Sequence, residues 1–487
     1  MLKPLIAVSA PAGSYEGVTE SGISKFLGIR YAAAPIGSLR FKAPQPLPPS
    51  PDSIDATRFG GRSFDIGQPE QFTAMFDVQG EQGEDCLFLN IYVPDGGTTN
   101  KPVMFWIHGG AFIGGSGNQY DPTNLARKND VIVVTVNYRL GIFGFLNLQR
   151  LGAGYEASAN LGIADQIAAL SWVNDNIAAF GGDAANITIF GESAGAASVF
   201  ALMGAPMAEG LFQKAAAFSG AETLAPPLDY VDIFKAHFGV ETDQACLDAL
   251  LALPAPELSR LQQDLRLYFG ASLDGVVLTR PTCEAIKDGG AAQIPILTGA
   301  TKDEGTLLAP FYAEHEQEAT LTLMGLAASV GRDDGSPYLA HLDATMPDAS
   351  LLQKMTQTWF DVFRSSACRV AATASQHGAG GWVYNFEVET DDPLGVTHAA
   401  DIPFFFDWTD PKNTIFLVHD ASPVNVMLAE QWSKTIIAFA RNGDPNGAGL
   451  PAWPRYQPDD HRCLRLAQTP KIVANPDGEM LGLYRVS

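Results

Sequence analysis

Two stretches of the chain are apolar almost without a break, PVMFWIHGG at 102–110 and VIVVTVNYR at 131–139. Strands covered by helices on both faces read this way, so these runs predict the buried middle of a sheet. FLGIRYA at 26–32 and LFLNIYVP at 87–94 add shorter β-type runs to the first half. Between Asn160 and Phe180 the period changes. Leu161, Ala164, Ile167, Ala168, Leu170, Trp172 and Ile177 recur as one face of a helix, which Gly181 stops. The strand-like NITIF follows, then GESAG, and AASVFALMGAP returns to a helical pattern up to Gly204 and Pro206. The order strand, sharp turn, helix is thereby predicted around Ser193.

The second half continues the alternation. IPILTGATKDEG at 294–305 reads as a buried strand ending in an acidic loop, and GWVYNFEVE at 381–389 as a strand leading to TDDPLGVTHAAD. Acid and base candidates thus fall where strands end, the edge at which open α/β sheets collect ligands. Residues from about 305 to 375 look mainly helical and predict a cap-like insertion over that edge. No fixed-period repeat and no Pro/Gly/Ser linker divides the chain. The expectation is one domain spanning 1–487.

Composition narrows the class. The 487 residues are 46% hydrophobic and 17% charged, which suits a chain with a large core. Lys and Arg total 31 against 54 Asp and Glu, a formal charge of -23. That balance repels nucleic acid and anionic membrane surfaces and favours solubility. No apolar run is long enough to span a bilayer, and MLKPLIAVSAPAGSYEG does not have the form of a signal peptide. Five cysteines without a CxxC pair exclude a disulfide framework and a zinc ribbon. These features predict a cytoplasmic protein without membrane insertion, secretion being the alternative if a leader has been removed.

The GESAG corner raises a chemical possibility. A serine on a strained strand-to-helix turn projects its oxygen clear of the sheet, where a base and a carbonyl carbon can both reach it. A helix N-cap serine would also fit before AGAASVF, but an N-cap explains neither Gly191 nor Gly195. GxSxG alone recurs by chance. Here an HGG loop lies upstream, an acid follows a later strand and a histidine follows another, in the order Ser, acid, His. From the residues alone, Asp303 and Glu304 stand side by side as the acid, and any of eight histidines could be surface decoration. No HExxH spacing offers a metal site.

Taken together, FLGIRYAAAPIGSLRF, GEDCLFLNIYVP, WIHGGAFIGGSG, NYRLGIFGFL, NLGIADQIAALSWVNDNIAAFGGD, IFGESAGAAS, KDEG and GVTHAADIPFFF resemble the type B carboxylesterases over nearly the whole chain. The resemblance implies an α/β-hydrolase fold, with a large, mostly parallel central sheet flanked by helices, and ester hydrolysis without a cofactor. It implies Ser193 as nucleophile, His398 as base and Glu304, over Asp303, as the acid that orients the imidazole. It implies an oxyanion hole from the amides of Gly110, Ala111 and Ala194, and a polar group of Glu192, Ser219 and Asp401 behind the nucleophile. Arg40 with Glu84 and Arg139 with Asp165 match the family's structural ion pairs. Cys86 matches a cysteine that is disulfide-bonded in secreted relatives, but no cysteine precedes it here.

The resemblance also bears on substrate. An ungapped count from GEDC places Phe76 where cholinesterases carry the tryptophan that holds a quaternary ammonium, and Leu307 and Leu308 follow KDEG where they carry aromatics. The expected substrate is therefore a neutral carboxylic ester with a short to medium acyl or aryl group. Amides, carbamates and toxin esters are the alternatives with the same acyl chemistry. A non-catalytic binding protein is the alternative of another class, because the family includes adhesion proteins that lack the working serine. Oligomeric state is not encoded in any motif.

Overall fold

The computed structural model describes residues 4–65, 78–96, 99–313, 316–331, 334–408 and 422–484. The chain folds as two compact units. The first comprises Met1–Gln213 and Leu224–Pro281, the second Lys214–Thr223 and Thr282–Ser487.

In the first unit the strands are β1 (Leu5–Ala10), β2 (Gly13–Glu20), β3 (Ile23–Arg30), β4 (Ser53–Asp55), β5 (Phe88–Pro94), β6 (Lys101–Ile107), β7 (Ile132–Val136) and β8 (Gly182–Glu192). They lie in the order β1-β2-β3-β5-β7-β6-β8, with β4 pairing β2. From β1 to β7 along that order the pairs are antiparallel, β4 pairs β2 in parallel, and β7, β6 and β8 run parallel. Every residue of β6 and β7 is buried, Lys101 and Thr135 included, which is why both sequences are almost wholly apolar. The register sets Ile107 beside Gly191, so the end of β6 and the end of β8 meet at the corner that carries Ser193.

Helix α1 (Leu161–Asn176) departs from the one-faced helix that its periodicity predicts. It is buried on nearly all sides, Asp165 and Gln166 included. Polar partners make that possible. Gln166 donates to Ser198 Oγ at 3.0 Å, and Asp165 receives Arg139 through Nε at 2.8 Å, Nη2 at 2.7 Å and the backbone N–H at 3.1 Å. Arg40 binds Glu84 at 2.6 Å and also donates to the carbonyls of Leu250, Leu251 and Leu253. Removing one member of a wholly buried pair leaves an uncompensated charge. Arg139→Met is therefore expected to destabilise the fold by about 3–5 kcal/mol, read as a lower urea midpoint. The Arg139→Met/Asp165→Leu double variant should regain most of that loss. A single variant as stable as the parent would show that the pair does not carry this weight.

The second unit contains β9 (Lys214–Phe218), β10 (Ile296–Thr301), β11 (Gly381–Phe386), β12 (Cys463–Leu466) and β13 (Lys471–Val473), adjacent in that order. The first four are parallel and β13 closes the edge antiparallel. Between β10 and β11 the chain is helical, as its sequence predicts: α3 (Gly305–Leu308), α4 (Glu316–Val330), α5 (Ser336–Thr345) and α6 (Leu351–His377). Helix α6 starts at a reciprocal cap. Ser350 Oγ accepts the backbone N–H of Gln353, and the Gln353 side chain accepts that of Ser350. Two further helices, α7 (Ile402–Phe405) and α8 (Pro423–Asn442), follow β11.

All five cysteines are buried and free. Among the described residues no helix is long and apolar enough to cross a membrane.

Candidate active site

The first unit supplies a strained serine. Ser193 joins β8 to helix α2 (Ala194–Gly204) with φ 58 and ψ -123, outside the regions that side-chain-bearing residues usually occupy. The flanking glycines are required by contact. A methyl group on Gly195 would lie 2.0 Å from the Ile107 carbonyl oxygen, and one on Gly191 would lie 2.6 Å from the Gly195 backbone. Helix α2 can leave the sheet this steeply only because nothing projects from either position. Ala194 is the first helical residue, so its N–H is among those that a helix start leaves without an intrahelical partner.

The loop after β6 lies against the same corner. A methyl on Gly109 would stand 2.8 Å from the Glu192 carbonyl oxygen and 3.0 Å from Ser193 Cβ. Gly110, Ala111 and Phe112 then have φ of 113, 54 and 60, a run of positive-φ backbone immediately after β6. His108 holds this loop. Its Nδ1 donates to the Gly109 carbonyl at 2.8 Å, its ring stacks on Tyr138 with centroids 4.4 Å apart, and the Tyr138 hydroxyl donates to the His108 carbonyl at 2.8 Å. Burial pushes the His108 imidazole down to about 4, so at neutral pH it is an uncharged structural ring. Sequence reading passed over His108 and Tyr138; the HGG motif was the available signal. Glu192 is buried beside the serine, and its charge joins burial in raising the Tyr120 hydroxyl well above its ordinary value.

Within the second unit, an acid and an imidazole are paired. Glu304 is wholly buried after β10, where the backbone N–H of Thr301 donates to its Oε1 at 2.7 Å. Its Oε2 lies 2.5 Å from His398 Nδ1, so the carboxylate fixes that nitrogen as the protonated one. Phe363 of α6 stacks on the His398 ring at 5.0 Å and 18°. Asp303, the neighbouring acid, has a different task. Its Oδ2 accepts the N–H of Val396 at 2.8 Å and its own N–H reaches the Val396 carbonyl at 2.9 Å, tying the histidine loop to the end of β10.

Asp401, at the start of α7, is also fully buried, and its Oδ2 accepts the Tyr384 hydroxyl at 2.5 Å. Burial pushes its carboxyl up to about 7. Ser219 follows β9 with φ 53, its N–H bonded to the Gly299 carbonyl at 2.8 Å. Leu307 and Leu308 lie half-buried on α3. Phe76 falls outside the described residues.

A parallel-stranded sheet with a strand–serine–helix corner defines an α/β-hydrolase. The carboxylesterase family profile matches residues 5–481. Para-nitrobenzyl esterase of Bacillus subtilis is 36% identical over 490 residues, 97% of each chain. Human carboxylesterase 5A is 34% identical over 470 residues, covering 89% of this chain and 80% of that one. A solved thermophilic para-nitrobenzyl esterase superposes with a TM-score of 0.88 at 34% identity, covering 98% of this chain and 99% of the other. A Geobacillus stearothermophilus carboxylesterase gives 0.82 at 34% identity, covering 98% and 100%. The chain belongs to the carboxylesterase family and is a carboxylic ester hydrolase.

Proposed function

We propose that this esterase works by two-step acyl transfer, with Ser193 as nucleophile, His398 as base and Glu304 as the acid behind it. The observation that carries the reading is the Glu304–His398 hydrogen bond. With Nδ1 committed to a carboxylate, the ring exchanges protons at Nε2, which is the arrangement general-base attack by a serine requires. His398 takes the Ser193 proton as the oxygen attacks the ester carbonyl. The tetrahedral intermediate collapses, the imidazolium protonates the departing alcohol, and an acyl-serine remains. Water, deprotonated by His398, then releases the acid and restores the serine.

The negative charge of each tetrahedral intermediate falls, on this reading, on the amides of Gly110, Ala111 and Ala194. Donors fixed before the reaction need no reorganisation when charge develops, and each typically contributes about 3 kcal/mol. The positive-φ run at Gly110–Phe112 and the helix start at Ala194 support the assignment. Glu192, Ser219 and Asp401 are proposed as the polar set behind the nucleophile, and the helical stretch of about 305–375 as the cap of a single catalytic domain.

The proposed substrates are neutral esters with short to medium acyl or aryl groups. The names of the Bacillus relative and its structural counterpart point to para-nitrobenzyl esters as the first to try. Half-buried Leu307 and Leu308 favour an apolar acyl partner over a quaternary ammonium. A reducing, cytoplasmic setting agrees with five unpaired thiols; export of the natural precursor would overturn it.

A serine-directed fluorophosphonate tests the core of the proposal. It should label the protein one-to-one, with the adduct on the peptide containing Ser193, and abolish hydrolysis of para-nitrophenyl butyrate in proportion. Labelling elsewhere, or full activity after complete labelling, would overturn it. The same assay extended to a matched amide and carbamate series separates an esterase from the two nearer alternatives.

A further inference from the structure

Asp401 sits three residues beyond His398, wholly buried, with one carboxyl oxygen on the Tyr384 hydroxyl and the other, Oδ1, without a hydrogen-bond partner among the described residues. A buried carboxyl so sparsely bonded loses its charge unless a donor holds it. Tyr384 is that donor, and the fold fixes where its hydroxyl stands. The residue is fully buried on β11, opposite Gly299 of β10. A methyl group on Gly299 would lie 2.3 Å from the tyrosine ring, so the missing side chain is the space the ring occupies. Phe218 meets the ring edge-on at 6.0 Å and Trp432 lies tilted at 5.0 Å. The phenol therefore cannot swing away from Asp401 without unpacking from Phe218 and Trp432.

We infer that Tyr384 is a positioning residue for ester hydrolysis: its hydroxyl orients the Asp401 carboxyl and favours its ionised form, and that charge supports the cationic form of His398. The inference rests on the catalytic roles proposed for Glu304 and His398. Among the described residues of its unit, Tyr384 from β11, Glu304 from the end of β10 and His398 from the loop before α7 are the titratable groups that face Asp401. The Tyr384 hydrogen bond, one from the backbone of Asp401 itself and a protonated His398 pull the Asp401 proton off, while burial and the Glu304 charge hold it on. Helix α8, packed on α7, has no ionisable side chain on its buried face, and β9 contributes Phe218. On the reading proposed above, Glu192 is a further acid of the set. Deleting the Tyr384 donor therefore shifts that balance toward the neutral carboxyl. The imidazole then loses part of a neighbouring negative charge at the step in which it becomes positive.

The test is Tyr384→Phe, which keeps the ring and deletes the donor. Turnover of para-nitrophenyl butyrate should fall about tenfold, the scale of one hydrogen bond to a charged group, with KM within about twofold. The acid limb of the pH profile of kcat/KM should move to lower pH. Imidazole NMR of histidine-labelled protein, assigned with His398→Asn, should show the His398 midpoint moving down by about half a pH unit or more. Asp401→Asn should lower it likewise, and Tyr384→Phe should add nothing in that background. Incorporating 3-fluorotyrosine at 384, a stronger donor, should move the midpoint the other way, and this keeps the test available if the phenylalanine variant folds poorly. An unmoved His398 midpoint in the phenylalanine or fluorotyrosine protein overturns the inference, as does a further effect of Tyr384→Phe on top of Asp401→Asn. The imidazole titration needs no turnover, so it gives its answer even if Ser193 and His398 prove not to act on esters.

Discussion

Ser193→Ala is expected to lower turnover of para-nitrophenyl esters about a millionfold, by comparison with another serine hydrolase, while leaving the fold in place. The size follows from what is removed. Without the hydroxyl no acyl-enzyme forms, and the imidazole and the backbone donors can only assist water. The fold should survive because the backbone geometry at residue 193 is imposed by its surroundings. The contacts at Gly191 and Gly195 and the pairing of β6 with β8 do not involve the side chain. Alanine inherits the same φ of 58 and gains no relief from it. The measurements are kcat with a trace-contamination control and the thermal midpoint. Activity within a hundredfold of the parent would mean that another group attacks the carbonyl.

The second large effect is expected at Glu304. Glutamine in its place should cost about ten-thousandfold in turnover, by analogy with the corresponding change in a serine protease. Glutamine has the right shape, and its Oε1 can still accept the Thr301 N–H. Its amide nitrogen, however, then faces His398 Nδ1 as a donor. The imidazole must answer with a lone pair there, which puts its own proton on Nε2, and a protonated Nε2 cannot take the serine's proton. Asp303→Asn should behave differently, since Asp303 is bonded to the Val396 backbone and not to the imidazole. If Glu304→Gln keeps a tenth or more of the parent's turnover, Glu304 is not the orienting acid.

The parts of this architecture that depend on neighbouring residues could be read from the chain. The apolar runs of β6 and β7 and the strand–serine–helix order at Ser193 are local patterns, and the structure places them within a few residues of where periodicity does. The parts that depend on distant partners could not be read from local pattern, and are expected, where they are, from the family resemblance alone. Asp303 and Glu304 are adjacent and chemically alike, and only the chain's return at Val396 and His398 gives them separate tasks. The burial of α1 on nearly all sides was hidden for the same reason, because Asp165 and Gln166 look like a solvent face until Arg139 and Ser198 are brought to them. Tyr384 read as one more aromatic in a strand. Its hydroxyl acquires a role from a carboxyl 17 positions on.

The crowding around Gly109, Gly191 and Gly195 limits how this catalyst can be redesigned. Each lacks room for a single methyl without displacing main chain, so a library aimed at bulkier acyl groups would waste its diversity on those three codons. On the mechanism proposed above, selectivity is to be tuned through side chains such as Leu307 and Leu308, while the backbone corner at Ser193 keeps its shape.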